Sequence, residues 1–271
     1  MKIFRLLPII LLGGAGLAAA PLKVVSLSPA ATELICHLGG EKYLKGRSSA
    51  CTYPPRILRL PVMGDFARPD TEKILKAAPD LIVTNDLIYP GAEKIFRQRG
   101  IKVLFLPCRS IKEYAQAVEK TGRELNQEAA SRQELARIEN FCRKYSRCAP
   151  LRQKVLMLLW SQPVITCGEK TFSSELLRLA GADLPDCKGV AGYFKPSLKW
   201  LLSCGADTLL VFEGTGGDPA KHPLLKHLEA VKKKRIVHFP DADLLQRPGP
   251  RFTEGVRRLR RLLEAAEREA Q

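Results

Sequence analysis

The chain has no CxxC pair, no HExxH, no GxSxG and no GxxxxGK[ST]. These gaps exclude a zinc ribbon, a zincin centre, a hydrolase nucleophile elbow and a P-loop. Beyond the N-terminus no apolar run approaches the roughly 18 residues that a membrane-spanning helix needs. The four histidines, His37, His222, His227 and His238, are scattered. His222 and His227 stand five apart beside a proline, poor geometry for sharing a metal. GTGGD at Gly214 to Asp218 lacks the spacing of a dinucleotide fingerprint and is expected to form a turn. The sequence therefore offers no catalytic residue and no metal site. Acid is also short: 28 Asp and Glu face 44 Lys and Arg, a formal charge of +16.

What is present starts with the first twenty residues. Lys2 and Arg5 form a positive head, Leu6 to Leu12 an apolar core and Gly13 to Ala20 a small-residue tail. That is the pattern of a secretory signal peptide, so a soluble, monomeric, periplasmic product is expected. Removing its two basic residues and no acidic ones takes +16 to +14. A basic balance suits nucleic acid, an anionic ligand or an anionic envelope, and an exported chain without a recognition motif excludes nucleic acid. The arginines of VRRLRRLLEAAEREA near the C-terminus read as the solvated faces of a helix. Export also permits disulfides among the eight cysteines, with Cys142 and Cys148 close enough to staple a helix end.

An internal echo sets the fold. TEKILKAAPDLIVTND at Thr71 to Asp86 matches LKWLLSCGADTLLVFE at Leu198 to Glu213: an amphipathic helix, a turn with an aspartate (Asp80, Asp207), then a strand-like run. KVVSL at Lys23 is answered by KVLML at Lys154, and the strand ending FLP at Pro107 by HFP at Pro240. Helices alternating with apolar strands indicate parallel sheets. The expected fold is α/β: two parallel-sheet α/β lobes joined by a single long α-helix, with a ligand cleft between the lobes. The lobes span 21–125 and 149–271. Between them, 126–148 is proline-free, and a helix from Gln127 to Tyr145 would be about 30 Å long. Ala129, Leu135, Ile138, Cys142 and Tyr145 form its expected packing face. In the first lobe, Ser28 should cap a helix opened by Pro29 with Glu33 in its first turn, and Asp70 or Thr71 should cap the next. In the second lobe, Trp160-Ser161-Gln162-Pro163 is expected to be the loop equivalent to Ser28-Pro29, and a helix to run from Ser174 to Ala180.

In open parallel sheets ligands sit beyond the carboxyl ends of the strands. Those ends carry Ser28, Asn85, Asp86, Trp160, Ser161, Glu213, Gly214 and the segment Asp243 to Arg251, with Tyr53, Phe66 and Tyr193 in nearby loops. Aromatic faces, hydroxyls, amides and arginines make a binding inventory, not a catalytic one.

VVSLSPAATELICHLGG, GRSSACTYPP, TEKILKAAPDLIVTND and ITCGEKTFSSELLRLAGA closely resemble segments of periplasmic cobalamin-binding proteins. These belong to the substrate-binding proteins of ABC importers for cobalamin, ferric siderophores and haem. The resemblance covers nearly the whole chain after the first twenty residues and implies two lobes, a single spar helix, no enzymatic activity and no cofactor. The cargo would be cobalamin, another corrinoid or a related metal chelate. It places Tyr53 and Phe66 on the first wall of the cleft, Phe66 standing where cobalamin binders carry tryptophan. Ile165, Thr166, Cys167, Asp243, Leu244, Gln246 and Arg247 fall on the second wall, with Leu244 where relatives show an aromatic residue. Tyr193 in GYFKPS resembles haem-binding relatives, in which a tyrosine can ligate iron. The resemblance further implies docking on an inner-membrane permease through one glutamate per lobe. Glu72 matches the first; Lys199 stands at the second, a reversal of charge.

Overall fold

The computed structural model describes residues 22–85, 88–187, 189–214 and 217–269. The expected signal peptide and Asp86 lie outside these residues. In the first half run β1 (Val24–Ser26), α1 (Pro29–His37), β2 (Leu44–Arg47), α2 (Thr71–Ala77), β3 (Leu81–Thr84), α3 (Pro90–Gln98) and β4 (Lys102–Phe105). Then come α4 (Ile111–Glu124) and α5 (Glu128–Tyr145). The second half runs β5 (Val155–Ser161), β6 (Val164–Cys167), α6 (Phe172–Leu179), β7 (Tyr193–Phe194), α7 (Leu198–Ser203) and β8 (Thr208–Phe212). It ends with α8 (Glu229–Lys232), β9 (Ile236–Phe239), α9 (Asp243–Gln246) and α10 (Phe252–Glu269).

The first sheet has the order β2-β1-β3-β4 and is parallel throughout. The second has the order β7-β6-β5-β8-β9, with β5, β8 and β9 parallel. The internal echo is visible in atoms. Asp80 Oδ2 accepts the Lys23 N–H at 2.8 Å, and Asp207 Oδ2 accepts the Lys154 N–H at 2.8 Å. Each aspartate thus ties the entry of the strand it precedes, β3 or β8, to the entry of the neighbouring β1 or β5.

The second lobe departs from a strict copy. The run VLMLLWS stays extended through Trp160 and Ser161, turns at Gln162-Pro163 and returns as β6, antiparallel to β5. Trp160 and Ser161 are therefore strand residues, not a loop equivalent to Ser28-Pro29. Tyr193 likewise lies in β7, paired antiparallel with β6 at Cys167. An apolar run carries no period that would mark where one buried strand ends, so the hairpin has no signature in the sequence.

Helix starts follow their caps. Ser28 Oγ accepts the Ala31 N–H at 3.5 Å, with Pro29 as the first helical residue. Asp70 Oδ1 accepts the Lys73 N–H at 3.0 Å. α6 begins at Phe172 rather than Ser174, because Thr171 and Ser174 form a reciprocal capping box.

Period-2 alternation sorts the strand residues between the two faces of each sheet. Val24, Leu81, Val83, Val155, Met157, Leu210 and Phe212 join one continuous core that also holds residues of α1, α4, α5, α6, α9 and α10. Val25, Ile82 and Val103 pack outward against Ile74 of α2 and Phe96 of α3. Leu156, Leu209 and Val211 pack outward against Leu201 of α7 and Val231 of α8. The central core is shared between the lobes.

The long helix α5 packs Leu135, Ile138, Cys142 and Tyr145 on the core as expected, and its most buried line is rotated slightly from them. Ser131, Glu134, Ile138 and Phe141 are buried, whereas Ala129 is exposed. The reason is a close approach to α4: a Cβ on Gly122 would stand 2.5 Å from the Ser131 Cβ, and Ser131 Oγ donates to the Val118 carbonyl at 3.1 Å. None of the eight cysteines forms a disulfide, Cys142 and Cys148 included. Among the described residues no helix is long and apolar enough to cross a membrane.

Candidate ligand cleft

At the carboxyl ends of the first sheet, between the lobes, lies a cavity of about 410 Å³. The first lobe contributes Ser28 beyond β1, Asn85 beyond β3, and Leu106, Cys108 and Arg109 beyond β4. The second contributes Lys170 and Thr171 from the turn into α6, Gly192 and Tyr193 at β7, Gln246 at the end of α9 and Pro248 after it. Among the described lining residues none is acidic, and Arg109 and Lys170 supply two cations. Gln246 Nε2 is buried without a hydrogen-bond partner. The Tyr193 ring is half-exposed, and its hydroxyl stands 3.5 Å from the Oγ of buried Ser173. Burial pushes its phenol upward, opposed by the Ser173 hydrogen bond.

Lower along the seam is a second interlobe cavity, of about 400 Å³, where Tyr53 meets Glu33, Arg137 and Arg251. Arg251 gives a two-pronged hydrogen bond to Glu33, Nε to Oε2 and Nη2 to Oε1, both 2.8 Å. Arg247 Nη1 reaches the same carboxylate at 3.4 Å and its Nε reaches Asp243 at 2.8 Å. The Arg251 guanidinium carbon lies 3.9 Å from the centre of the Tyr53 ring. Glu33 is the fifth residue of α1 and lies past the first turn expected for it. It is a buried carboxylate on α1, neutralised by two arginines of the other lobe. Burial raises Asp243, while Arg247 lowers it.

One turn further along α1, His37 Nε2 stands 2.8 Å from the Glu134 carboxylate of α5. Arg137 grips the same carboxylate, Nε to Oε2 and Nη2 to Oε1, both 2.6 Å, and donates to Thr253 Oγ1 at 2.7 Å and to the Pro250 carbonyl at 2.8 Å. Burial would raise Glu134, but the hydrogen bonds from Arg137 and His37 prevail and bring it down to about 2.

Of the residues expected at the site, Ser28, Tyr193 and Gln246 share the upper cavity, and Tyr53 and Arg251 the lower. Arg247 and Asp243 pair with each other beside them. The rest are elsewhere. Phe66 is half-buried in its loop and borders neither cavity. Trp160 is exposed on β5, its indole donating to the Gln162 carbonyl at 2.8 Å. Thr166 and Cys167 are buried and Ile165 half-buried within β6. Leu244 is 2% exposed and belongs to the shared core, so it cannot form a wall. Glu213 borders a separate cavity of about 420 Å³ beyond β8. Cys108, Arg109, Lys170 and Thr171 are additions that sequence reasoning missed. The first two were within reach, because they follow FLP as Asp241 and Ala242 follow HFP. Glu72 and Lys199 are both exposed, each the second residue of its helix.

A periplasmic binding protein family model matches residues 24–242. The chain belongs to the periplasmic binding protein family. This family and the relatives matched are transport substrate-binding proteins, which carry ligands and are not enzymes. This binding protein is 25% identical over 256 residues to a vitamin B12-binding protein of Vibrio cholerae, covering 91% of each chain. It is 25% identical over 250 residues to an uncharacterized ABC transporter substrate-binding lipoprotein, YvrC, of Bacillus subtilis, covering 88% of this chain and 79% of the relative. Among solved structures it superposes on the periplasmic heme-binding protein RhuT from Roseiflexus with a TM-score of 0.80. That match has 24% identity and covers 92% of this chain and all (100%) of the other. The periplasmic vitamin B12 binding protein BtuF of Vibrio cholerae gives a TM-score of 0.73 at 25% identity, covering 90% and 97%.

Proposed function

We propose that this protein captures a cobalamin-type corrinoid between its lobes in the periplasm and delivers it to the permease of an inner-membrane ABC importer. The observation that carries this is the donor-rich upper cavity, in a chain whose vitamin B12-binding relatives match it over nine-tenths of its length. A corrinoid periphery is rich in amide and phosphate oxygens, all acceptors. Lys170 and Tyr193, which line the cavity, carry donors to meet them. Tyr53 adds an aromatic face lower in the seam, and Ser28 a small hydroxyl beside the upper cavity. Export follows from the N-terminal segment, and the exposed first-turn positions Glu72 and Lys199 are the docking points on the permease. The protein acts as a monomer.

Haem is the second candidate cargo, favoured by the Tyr193 hydroxyl standing in the cavity. A phenolate oxygen is an established axial ligand for ferric iron. Calorimetric titration with cyanocobalamin and, separately, with hemin distinguishes the two. One-to-one binding of cyanocobalamin alone supports the corrinoid assignment. A hemin complex whose Soret band shifts on Tyr193→Phe, with no cyanocobalamin binding, replaces it by haem. Absence of binding to either overturns both.

A further inference from the structure

Glu33 and Arg251 stand out because no ligand chemistry has been assigned to their bond. The Glu33 carboxylate comes from the first lobe and its side chain is 2% exposed. The guanidinium that neutralises it comes from the second lobe, in the fork geometry that only arginine provides. The flat face of the same guanidinium backs the Tyr53 ring, which belongs to the first lobe again. One cation of the second lobe is therefore clamped between a carboxylate and an aromatic ring of the first. Parting the lobes here would break the two-pronged bond and the ring contact together, and removing Arg251 alone would leave the Glu33 carboxylate buried without its main counter-charge.

We infer that Glu33 and Arg251 are a positioning pair that fixes the Tyr53 ring against the second lobe and sets the spacing of the cleft walls before any ligand arrives. This deepens the function proposed above and rests on a ligand seated between the lobes. A cleft set in advance gains affinity by avoiding the ordering of its walls on binding. Arg251 serves through the ring it holds, so its role differs from that of a residue touching the cargo.

Hydrogen exchange on the ligand-free protein tests the pair without any cargo. Arg251→Lys keeps the charge but loses the fork and the flat face; Glu33→Gln keeps the shape but loses the charge. Each should speed exchange about tenfold or more in two segments of opposite lobes, 31–37 and 252–256, while amides of β3 and β8 keep their protection. The double variant should exchange within about twofold of the more affected single variant, because the Glu33–Arg251 contact is broken in both. Multiplying effects in the double variant, or a response in one lobe only, would overturn the pair. Should Glu33→Gln fail to fold, Arg251→Lys and Arg251→Met carry the comparison. With cyanocobalamin or hemin as probe, Arg251→Lys should weaken binding about tenfold in the presence of Tyr53 and less than about twofold beside Tyr53→Leu. Equal losses in both backgrounds would show that Arg251 does not act through the ring. A wild-type protein that binds neither probe would count against the cargo alone, and the exchange result would still decide the pair.

Discussion

Leu244 and Glu134 illustrate how side chains of expected and unexpected importance exchange places once packing is known. Leu244, expected on a wall of the cleft, is buried in the shared core. Leu244→Ala is therefore expected to destabilise the protein by about 2–5 kcal/mol, as for other buried leucines. Urea unfolding measures this, and cyanocobalamin or hemin affinity at a temperature where the variant is folded should be unchanged. Glu134 carries a pH dependence. Its folded pKa, about 2, lies below its ordinary value of 4.5. A depressed carboxylate contributes stability that is complete above about 4.5 and is lost as pH falls toward 2. The difference of 2.5 pH units corresponds to about 3 kcal/mol. The urea midpoint should thus fall between pH 4.5 and 2.5, and Glu134→Gln should remove that part of the slope; an unchanged slope would show that Glu134 is not the group responsible. Ser28 and Tyr53 were legible in the sequence because a cap and a YPP turn are local features. Glu33 was not: its partners lie 214 and 218 positions away. Nothing in a helix reading distinguishes a solvated glutamate from one bonded across the molecule.

At the scale of elements, the same distinction decides how α9 meets α10. Gly255 sits in the first turn and a half of α10, and a Cβ there would stand 2.4 Å from the Leu244 carbonyl oxygen. The obstacle is backbone and cannot rotate away. Helix propensity alone predicts that Gly255→Ala stabilises by about 1 kcal/mol. Close approach predicts the opposite, a loss of about 1–3 kcal/mol as α9 is pushed off. The sign of the change in urea midpoint separates the two, and a loss is expected. The two copies of the β/α unit could be read from the chain because their aspartate turns repeat in register, and each aspartate makes the same 2.8 Å bond. The β5–β6 hairpin could not, because Gln162-Pro163 looks as much like a helix entry as a strand reversal. Most of the inward face of α5 was legible from its periodicity, but the burial of Ser131 was not, because it is set by Gly122 on α4, a contact with no counterpart in α5 itself.

At the scale of the molecule, the question is how far the lobes move when the cleft fills. Three features bear on it and all point the same way. The central hydrophobic core is continuous across the lobes, so separating them would expose apolar surface. The α5 helix is anchored on both sides: Glu134 receives His37 of α1, while Phe141 packs edge-on against Phe252 of α10 with ring centres 5.7 Å apart. A third tie crosses at the start of α4, where Glu175 of α6 accepts the Ile111 N–H at 2.6 Å. A large hinge closure would need all three to rearrange, whereas a small shear of the upper cavity around Tyr193 and Arg109 would not. Small-angle scattering of the protein alone and saturated with whichever of cyanocobalamin or hemin it binds should therefore give radii of gyration within about 1 Å of each other. A larger contraction would mean that the shared core slides rather than holds, and the Glu33–Arg251 contact would then have to break and re-form in every cycle of capture and release.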